Sequence, residues 1–202
     1  GIGLAIFQQV TGINTVIYFA PTIFKDSGMT GSAGAILVTA GIGLINVILT
    51  IIAMRLLDHA GRRALLLVGL VGMFVSLLGI SACFAVGLHA GGGHLVAVLV
   101  IVLIAVYVSF FAIGLGPVFW LLIAEIFPLA IRGRGMSLAT IANWGFNMLV
   151  SLTFLDLLKG IGQSATFLVY AVLTGAAFLF TYKLVPETKG RSLEEIEAQM
   201  RG

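Results

Sequence analysis

The sequence is poor in charge, cysteine and proline. Charged residues make up 9% of its 202 residues, against about 25% in a soluble domain, while 60% are hydrophobic. With a mean hydropathy of +1.16, the chain has too few polar residues to cover a water-exposed surface. This excludes a soluble enzyme, a disordered region and a nucleic-acid binder. We therefore predict an all-α integral membrane protein.

Motifs for covalent or metal chemistry are missing as well. Cys83 is the only cysteine, so no disulfide can form within the chain. The sequence lacks the metal-binding His/Cys patterns, the nucleotide-binding glycine loops and the hydrolase motifs that would indicate a catalytic site. We predict no metal, no cofactor and no enzymatic activity.

Long uncharged intervals divide the chain into membrane spans. They are residues 1–24, 27–54, 64–124, 135–155 and 160–182. A helix needs about 20 apolar residues to cross a hydrocarbon core, so the third interval accommodates two helices, with a turn at residues 89–94. The predicted transmembrane helices are 2–23, 33–56, 64–88, 95–123, 136–157 and 165–184.

Six spans place both ends of the chain on one side of the membrane. The loops and tail of that side hold nine of the eleven basic residues, so we predict that both ends are cytoplasmic. Residues 1–185 form the predicted transmembrane domain. Residues 186–202 form a predicted cytoplasmic tail, with a short amphipathic helix capped by Ser192 and Glu195. The chain begins inside a span and without Met, so we expect it to be part of a longer protein.

The first predicted helix carries a cluster of uncharged hydrogen-bonding side chains. These are Gln8, Gln9, Thr11, Asn14, Thr15 and Tyr18. An unpaired amide is costly in lipid, so this cluster must contact protein, water or a ligand. On an ideal helix Gln9 and Asn14 lie on opposite flanks of the face that the other four share, unless Gly12 breaks the helix and brings Asn14 inward. The alternative to a ligand site is that the amides only hold neighbouring helices together.

Other predicted spans add amides and an indole. Asn46 lies alone in the second, Asn143 and Asn147 share a face of the fifth, and Trp120 follows a Gly/Pro break in the fourth. Amides bind hydroxyl groups and a flat ring covers C–H groups, which suits a polyhydroxylated, uncharged ligand. No carboxylate lies deep in a predicted span, so we expect no proton carrier within this chain.

The first and fourth predicted helices are both interrupted by Gly or Pro, and each opens a unit of three helices. Corresponding interrupted helices in two repeats are typical of transporters whose binding site lies near the midplane of the bilayer. We therefore expect two three-helix repeats around such a site.

Six motifs follow one another along the chain. They are QQVTGIN at 8–14, DHAGRR at 58–63, GPVFW at 116–120, EIFP at 125–128 with RG at 132–133, NW at 143–144, and PETKG at 186–190. Together they resemble the C-terminal half, helices seven to twelve, of the sugar porter family in the major facilitator superfamily. The resemblance covers the whole chain.

This resemblance implies roles for individual residues. The implied sugar-binding residues are Gln8, Gln9, Asn14, Asn46, Trp120, Asn143 and Asn147. Tyr18 and Phe19 would form an outer gate. The implied charged contacts of the cytoplasmic gate involve Asp58, Arg62, Arg63, Glu125, Arg132 and Glu187. Pairing of Arg62 or Arg63 with one of the two glutamates would form a bistable latch. The alternative is that these charges only set the orientation of the chain.

Three positions depart from the family pattern. Ala112 stands where human glucose facilitators carry a glutamate, Phe119 replaces a proline common before Trp120, and Phe19 replaces a frequent tyrosine. The first departure favours a symporter over a facilitator. The second leaves the bend of the fourth helix open, and the third removes one hydroxyl from the outer gate.

The resemblance implies transport of a monosaccharide, either a hexose such as glucose or a pentose such as xylose, by alternating access in the plasma membrane. We expect a sugar:proton symporter. Its partners would be the sugar, protons, the lipid bilayer and an N-terminal six-helix half, in which the family's coupling carboxylate lies. The alternatives are a facilitative uniporter, a polyol or inositol transporter and, more remotely, a non-transporting membrane sugar sensor.

Overall fold

The described parts of the chain contain seven α-helices. The computed structural model describes residues 1–26, 32–90 and 94–190, and all regular structure in these ranges is helical. The helices are α1 (Ile2–Val10), α2 (Ile13–Asp26), α3 (Ser32–Ala60), α4 (Arg62–Ala90), α5 (His94–Ile113), α6 (Leu115–Ile126) and α7 (Arg132–Leu184). The predicted tail helix at Ser192 and Glu195, and the middle of the predicted turn at residues 89–94, lie outside the described residues.

The first predicted span is a pair of helices, α1 and α2, that meet at Gly12. Gly12 has a φ of +89°, a left-handed conformation that glycine adopts without steric cost. The N–H of Gly12 donates to the Gln9 carbonyl at 2.9 Å, which ends α1. The ring of Tyr170 lies 3.1 Å from the position that a Cβ atom on Gly12 would take. The chain therefore bends at the glycine where the sequence allowed a break.

The fourth predicted span is also two helices, α5 and α6, divided at Gly114. Gly114 has φ −102° and ψ −100°, outside the helical region. Pro117 lies in the first turn of α6, where its missing N–H removes no intrahelical hydrogen bond. A Cβ atom on Gly114 would lie 3.0 Å from the Cα atom of Gly69 in α4, so the break packs closely against that helix. The expected break is present even though Phe119 occupies the position of the family's proline.

Helix α7 contains two spans that run in opposite directions. It is 53 residues long, and Gly162 within it has non-helical angles of φ 80° and ψ 169°. Before Gly162, the Phe154 ring packs on Phe19 of α2, with centroids 5.0 Å apart. After Gly162, the Phe180 ring packs on Phe7 of α1 at 5.1 Å. The first half thus reaches Gly162 beside α2, and the second half returns along the same pair of helices to α1.

The predicted boundaries in this region are wrong in two respects. The helix begins at Arg132 rather than at residue 136, and the loop predicted at 158–164 is helical except for Gly162. At the start, the N–H of Gly135 already donates to the Ile131 carbonyl at 2.8 Å, which extends the first turn backwards. In the reversal, glycine alone supplies the positive φ, so its neighbours retain helical geometry.

The fold is that of an all-α integral membrane protein. By length and composition, the described residues contain five membrane-spanning stretches: Ile2–Phe24, Ile36–Leu57, Arg62–Val86, Leu95–Ile126 and Arg132–Leu184. Because the last stretch turns back at Gly162, the described residues make six passes, as the uncharged intervals predicted. The passes form two consecutive units of three, opened by the broken pairs α1–α2 and α5–α6.

Candidate functional site

Three carboxamide side chains form a buried network between α1 and α7. Gln9 Nε2 donates to Asn143 Oδ1 at 2.9 Å, and Asn143 Nδ2 donates to Gln8 Oε1 at 2.6 Å. Asn143 Nδ2 also donates to the Ala5 carbonyl at 3.1 Å. The exposed fractions of Gln8, Gln9 and Asn143 are only 3%, 6% and 1%. Each amide therefore has the hydrogen bonds that burial in apolar surroundings requires.

Gln8 extends this amide network to the break between α5 and α6. Its Nε2 donates to the Leu115 carbonyl at 2.9 Å and lies 3.5 Å from the Gly116 carbonyl. Leu115 is the first residue of α6. An amide on one interrupted helix thus holds the backbone at the point where the other interrupted helix resumes.

Asn14 joins the network from the far side of the Gly12 break. Its Nδ2 donates to Gln9 Oε1 at 2.8 Å. The ideal-helix placement on opposite flanks therefore does not apply, and the alternative that the sequence left open, a break at Gly12 that brings Asn14 inward, is confirmed. The left-handed backbone at Gly12 rotates α2 relative to α1 and brings the two amides together.

The amide network is suited to an uncharged ligand rich in hydroxyl groups. Each carboxamide has two N–H donors and an oxygen that accepts two hydrogen bonds, while a hydroxyl both donates and accepts. Asn14 is only partly buried, so it is the amide at the edge of the network. The four networked side chains carry no ionisable group, and no group of three His, Cys, Asp or Glu among the described residues is placed to hold a metal ion. The arrangement favours binding over acid–base or metal chemistry.

Asn46 lies apart from the network, on α3. The Thr50 hydroxyl donates to Asn46 Oδ1 at 3.2 Å. Asn46 also lines a cavity of about 120 Å³ between α2, α3 and α5, beside Val16 and Ala20 of α2. The structure therefore places this predicted residue against α2, the second half of the first span, rather than against the other amides.

Asn147 and Trp120 make no described hydrogen bond to the network. Asn147 is one helical turn beyond Asn143, is 7% exposed, and accepts a hydrogen bond from the Ser151 hydroxyl at 3.3 Å. The Trp120 ring packs edge-on against Phe119 at 4.8 Å and remains 40% exposed. Of the seven predicted sugar-binding residues, the structure joins Gln8, Gln9, Asn14 and Asn143.

The two residues of the predicted outer gate differ in exposure: Phe19 is partly buried and Tyr18 is exposed. Phe19 packs on Phe154 of α7, whereas Tyr18 is 55% exposed. Phe154 in turn stacks on Tyr170, with ring centroids 6.3 Å apart. Phe154 could not be selected from the sequence, because the pattern of an apolar span does not distinguish a packed phenylalanine from a lipid-facing one.

Tyr107 of α5 was also missed. Its side chain is fully buried, and its hydroxyl donates to the Thr11 carbonyl at 2.8 Å. A tyrosine inside a long apolar run is itself a signal, because its hydroxyl needs a hydrogen-bond partner away from water. The partner here is the residue directly before the Gly12 break.

An apolar cavity of about 610 Å³ opens elsewhere, on the faces of α4, α5 and α7. Its lining includes Val71, Leu103, Phe110 and Phe178. Such a surface cannot satisfy the hydroxyl groups of a sugar, so this cavity does not compete with the amide network as the candidate site.

At the predicted cytoplasmic end, Arg62 and Glu125 form an ion pair between the first turn of α4 and the last turn of α6. Arg62 Nη2 lies 3.1 Å from Glu125 Oε1, and Arg62 Nη1 donates to the Leu57 carbonyl at 3.1 Å. The other oxygen of Glu125 accepts a hydrogen bond from the Thr188 hydroxyl at 2.5 Å. This is one of the pairings that the resemblance suggested; its role in gating stays a prediction.

Glu187 caps the start of α4. Its carboxylate accepts from the backbone N–H groups of Arg62 and Arg63 at 2.9 and 3.0 Å, and from Lys189 N–H at 3.0 Å. Partial burial alone would raise the pKa of Glu187, but the surrounding backbone N–H donors outweigh it and hold the pKa below its ordinary value. A Cβ atom on Gly61 would lie 2.7 Å from Oε2 of this carboxylate, and the φ of +88° at Gly61 would strain any larger residue.

The remaining predicted gate charges contact backbone or aromatic groups. The Arg63 guanidinium lies 5.5 Å from the centre of the Tyr182 ring and donates to the Tyr182 carbonyl. Arg132 Nε donates to the Phe127 carbonyl at 3.1 Å. The side chain of Asp58 is outside the described part of the structure.

Comparison with known proteins assigns the chain to a family. The model of the family described as "Sugar (and other) transporter" matches residues 1–200. The chain belongs to this family. The resemblance carried by the six motifs is thereby confirmed, and relatives described as transporters agree with the prediction that the chain is not an enzyme.

Two relatives of this sugar transporter family show how much of a protein the chain represents. It is 47% identical over 202 residues to a D-xylose transporter of Levilactobacillus brevis, covering 100% of this chain and 43% of the relative. It is 39% identical over 197 residues to the D-xylose-proton symporter-like 1 of Arabidopsis thaliana, covering 98% and 38%. The chain therefore spans less than half the length of these relatives.

Solved structures of the xylose transporter XylE share the fold. The proton:xylose symporter XylE bound to 6-bromo-6-deoxy-D-glucose superposes with a TM-score of 0.86 at 36% identity, covering 98% of this chain and 42% of XylE. The inward-open conformation of XylE from E. coli gives a TM-score of 0.84, also at 36% identity, covering 98% and 41%. The chain thus has the fold of a major facilitator superfamily segment.

Proposed function

We propose that this chain is the C-terminal half of a monosaccharide transporter and that its amide network binds sugar hydroxyls during alternating access. The observation that carries the proposal is the buried network of Gln8, Gln9 and Asn143, with Asn14 at its edge. The network lies where two interrupted helices meet, at Gly12 and Gly114. Broken helices in corresponding positions of two repeats are where transporters of this architecture bind substrate.

The substrate that we propose is D-xylose, with D-glucose as the second candidate. Relatives described as D-xylose transporters support the pentose, and a XylE structure with a bromodeoxyglucose supports binding of a hexose in the same fold. Carboxamides form hydrogen bonds to either sugar, so the network supports the class of substrate more strongly than the individual sugar.

We propose proton symport as the mode of transport. Relatives described as proton symporters support it. The networked side chains of this chain include no acid, and Ala112, where human facilitators carry a glutamate, is buried. As the family resemblance implies, we place the proton-coupling carboxylate in the N-terminal half of the transporter.

In this proposal the two ends of the domain act as gates around the bound sugar. Tyr18 and Phe19 close the outer end, where Phe19 already packs on α7. The Arg62–Glu125 pair and the capping carboxylate of Glu187 hold the inner end. Rocking against the N-terminal half would expose the amide network to one side at a time.

The proposed orientation follows from the same assignment. Residues 1–185 form the transmembrane domain, with both ends on the cytoplasmic side of the plasma membrane. The segment 186–190 supports this division, because Glu187 and Thr188 bind the ends of α4 and α6 from outside the helices.

Uptake of labelled sugar by the full-length parent protein in proteoliposomes tests the proposal. Accumulation of D-xylose that needs an inward proton gradient and collapses with a protonophore supports symport. Uptake that stops at equilibrium and ignores the gradient means a facilitator. Folded protein that transports neither D-xylose nor D-glucose contradicts the monosaccharide assignment, and uptake of inositol in the same assay would then identify a polyol transporter.

A further inference from the structure

We infer that Tyr107 is a positioning residue for the sugar site and acts by fixing the bend at Gly12. The inference rests on the proposed function, because it concerns the geometry of the amide network. Tyr107 belongs to none of the motifs that carry the family resemblance, and its side chain has no exposed surface through which it could touch a ligand.

Tyr107 contacts the break between α1 and α2. The Tyr107 hydroxyl, on α5, donates to the Thr11 carbonyl at 2.8 Å. Thr11 is the C-cap residue of α1, and Gly12 next to it has φ of +89°. A glycine in this conformation has wide backbone freedom, so a hydrogen bond to the neighbouring carbonyl restricts the angle at which α2 leaves α1.

The angle at Gly12 controls the position of Asn14 relative to Gln8 and Gln9. Gln8 and Gln9 lie directly before the break and Asn14 directly after it. The hydrogen bond from Asn14 Nδ2 to Gln9 Oε1, 2.8 Å long, spans the break. A change in the angle at Gly12 would therefore move Asn14 relative to the amides of α1 and alter the spacing of the groups offered to a ligand.

A second hydrogen bond joins the two interrupted helices in the opposite direction, from α1 to the break at Gly114. Gln8 of α1 donates to the Leu115 carbonyl, one residue after the break at Gly114. Tyr107 lies two helical turns before Gly114 on α5 and binds the break at Gly12. Each interrupted helix thus holds the backbone of the other at its break. Because both bonds are buried, bending at one glycine without movement at the other would leave a polar group unpaired.

The simpler explanation is that the hydrogen bond from Tyr107 to Thr11 only gives a buried hydroxyl its partner. That role would lower the stability of the fold and the amount of folded protein, but it would leave the affinity of each folded molecule unchanged. A positioning role changes the dissociation constant itself. A positioning role also changes the dissociation constants of two sugars unequally when their hydroxyls contact the amides differently.

The experiment compares full-length transporter with its Tyr107→Phe variant by calorimetric titration with D-xylose and with D-glucose. Phenylalanine keeps the ring and removes only the hydroxyl. We expect the Kd for D-xylose to rise by about threefold to tenfold, the range that loss of one buried hydrogen bond spans. We also expect the ratio of the two dissociation constants to shift.

Tyr170→Phe is the matched control. The Tyr170 ring packs against the same Gly12, but no backbone carbonyl among the described residues accepts from its hydroxyl. Its removal should leave both dissociation constants unchanged. Equal affinity changes in the two variants would overturn the inference, because the effect would then not depend on the bond to Thr11.

Other outcomes separate this inference from the proposed function. Unchanged dissociation constants in Tyr107→Phe, with or without a lower Tm, would reduce the bond to a structural one. Wild-type protein that binds neither sugar would overturn the proposed function, and the inference would fall with it. If Tyr107→Phe is too unstable to purify, its KM for D-xylose uptake into cells gives the same comparison, since KM does not depend on the number of folded transporters.

Discussion

At the scale of single residues, Gln9 is the centre of the amide network, because it donates to Asn143 and accepts from Asn14. We expect Gln9→Ala to weaken sugar binding by about 1–3 kcal/mol, since both neighbours lose a buried partner. Equilibrium binding to the full-length protein measures this. Thr153→Ala, which removes an exposed hydroxyl that donates to carbonyls of its own helix, is the control and should bind sugar normally. Wild-type affinity in Gln9→Ala would remove Gln9 from the site.

A second residue-scale prediction concerns pH. The pKa of Glu187 lies below the ordinary value of 4.5, because its backbone N–H donors outweigh the effect of burial. The capping carboxylate therefore stabilises the fold above that pH, and the stabilisation is lost as the pH falls below it. We expect the Tm of detergent-solubilised protein to drop as the pH falls below about 4.5, and this drop to be smaller in Glu187→Gln. Asp156→Asn, at an exposed carboxylate, should retain the wild-type drop; an identical profile in Glu187→Gln would contradict the assignment.

At the scale of helices, the Gly12 break is the element that assembles the site. Alanine at this position would be strained by a φ of +89° and would place its Cβ atom 3.1 Å from the Tyr170 ring. We expect Gly12→Ala to destabilise the protein by about 1–2 kcal/mol and to weaken sugar binding. Gly41→Ala is the control, because its Cβ meets no described atom within 4 Å and its helix should tolerate alanine. Tm and sugar affinity of both variants check the prediction, and two unchanged values in Gly12→Ala would refute it.

The spans could be predicted from the sequence because every helix that crosses a membrane needs about 20 consecutive apolar residues. The uncharged intervals predicted six passes, and Gly12 and Gly114 predicted the breaks in the first and fourth spans. The predicted loop at 158–164 failed because a single residue, Gly162, can reverse the chain. The contacts of Tyr107 and Phe154 could not be predicted either. They join residues far apart in the chain, and no local pattern encodes which helices become neighbours.

At the scale of the whole molecule, α6 links the candidate site to the predicted cytoplasmic end. At its first residue, the Leu115 carbonyl accepts from Gln8 of the amide network. Near its last residue, Glu125 pairs with Arg62. The helix has 12 residues and is about 18 Å long. A rigid element of this length would transmit a change of angle at the Gly114 break directly to the ion pair at the other end.

This link predicts that Glu125 affects the movement of the transporter rather than the binding of sugar. We expect Glu125→Gln to lower the maximal rate of D-xylose uptake, because the neutral side chain weakens the attraction to Arg62. The Kd for the sugar should change by less than about twofold, since the amide network at the other end of α6 keeps its hydrogen bonds. Arg134→Gln, at an exposed cation near the same end, is the control and should keep both values. Counterflow uptake and equilibrium binding on the same preparations measure the two quantities. A rise in Kd that matches the loss of rate would contradict the prediction, because Glu125 would then act through the sugar site itself.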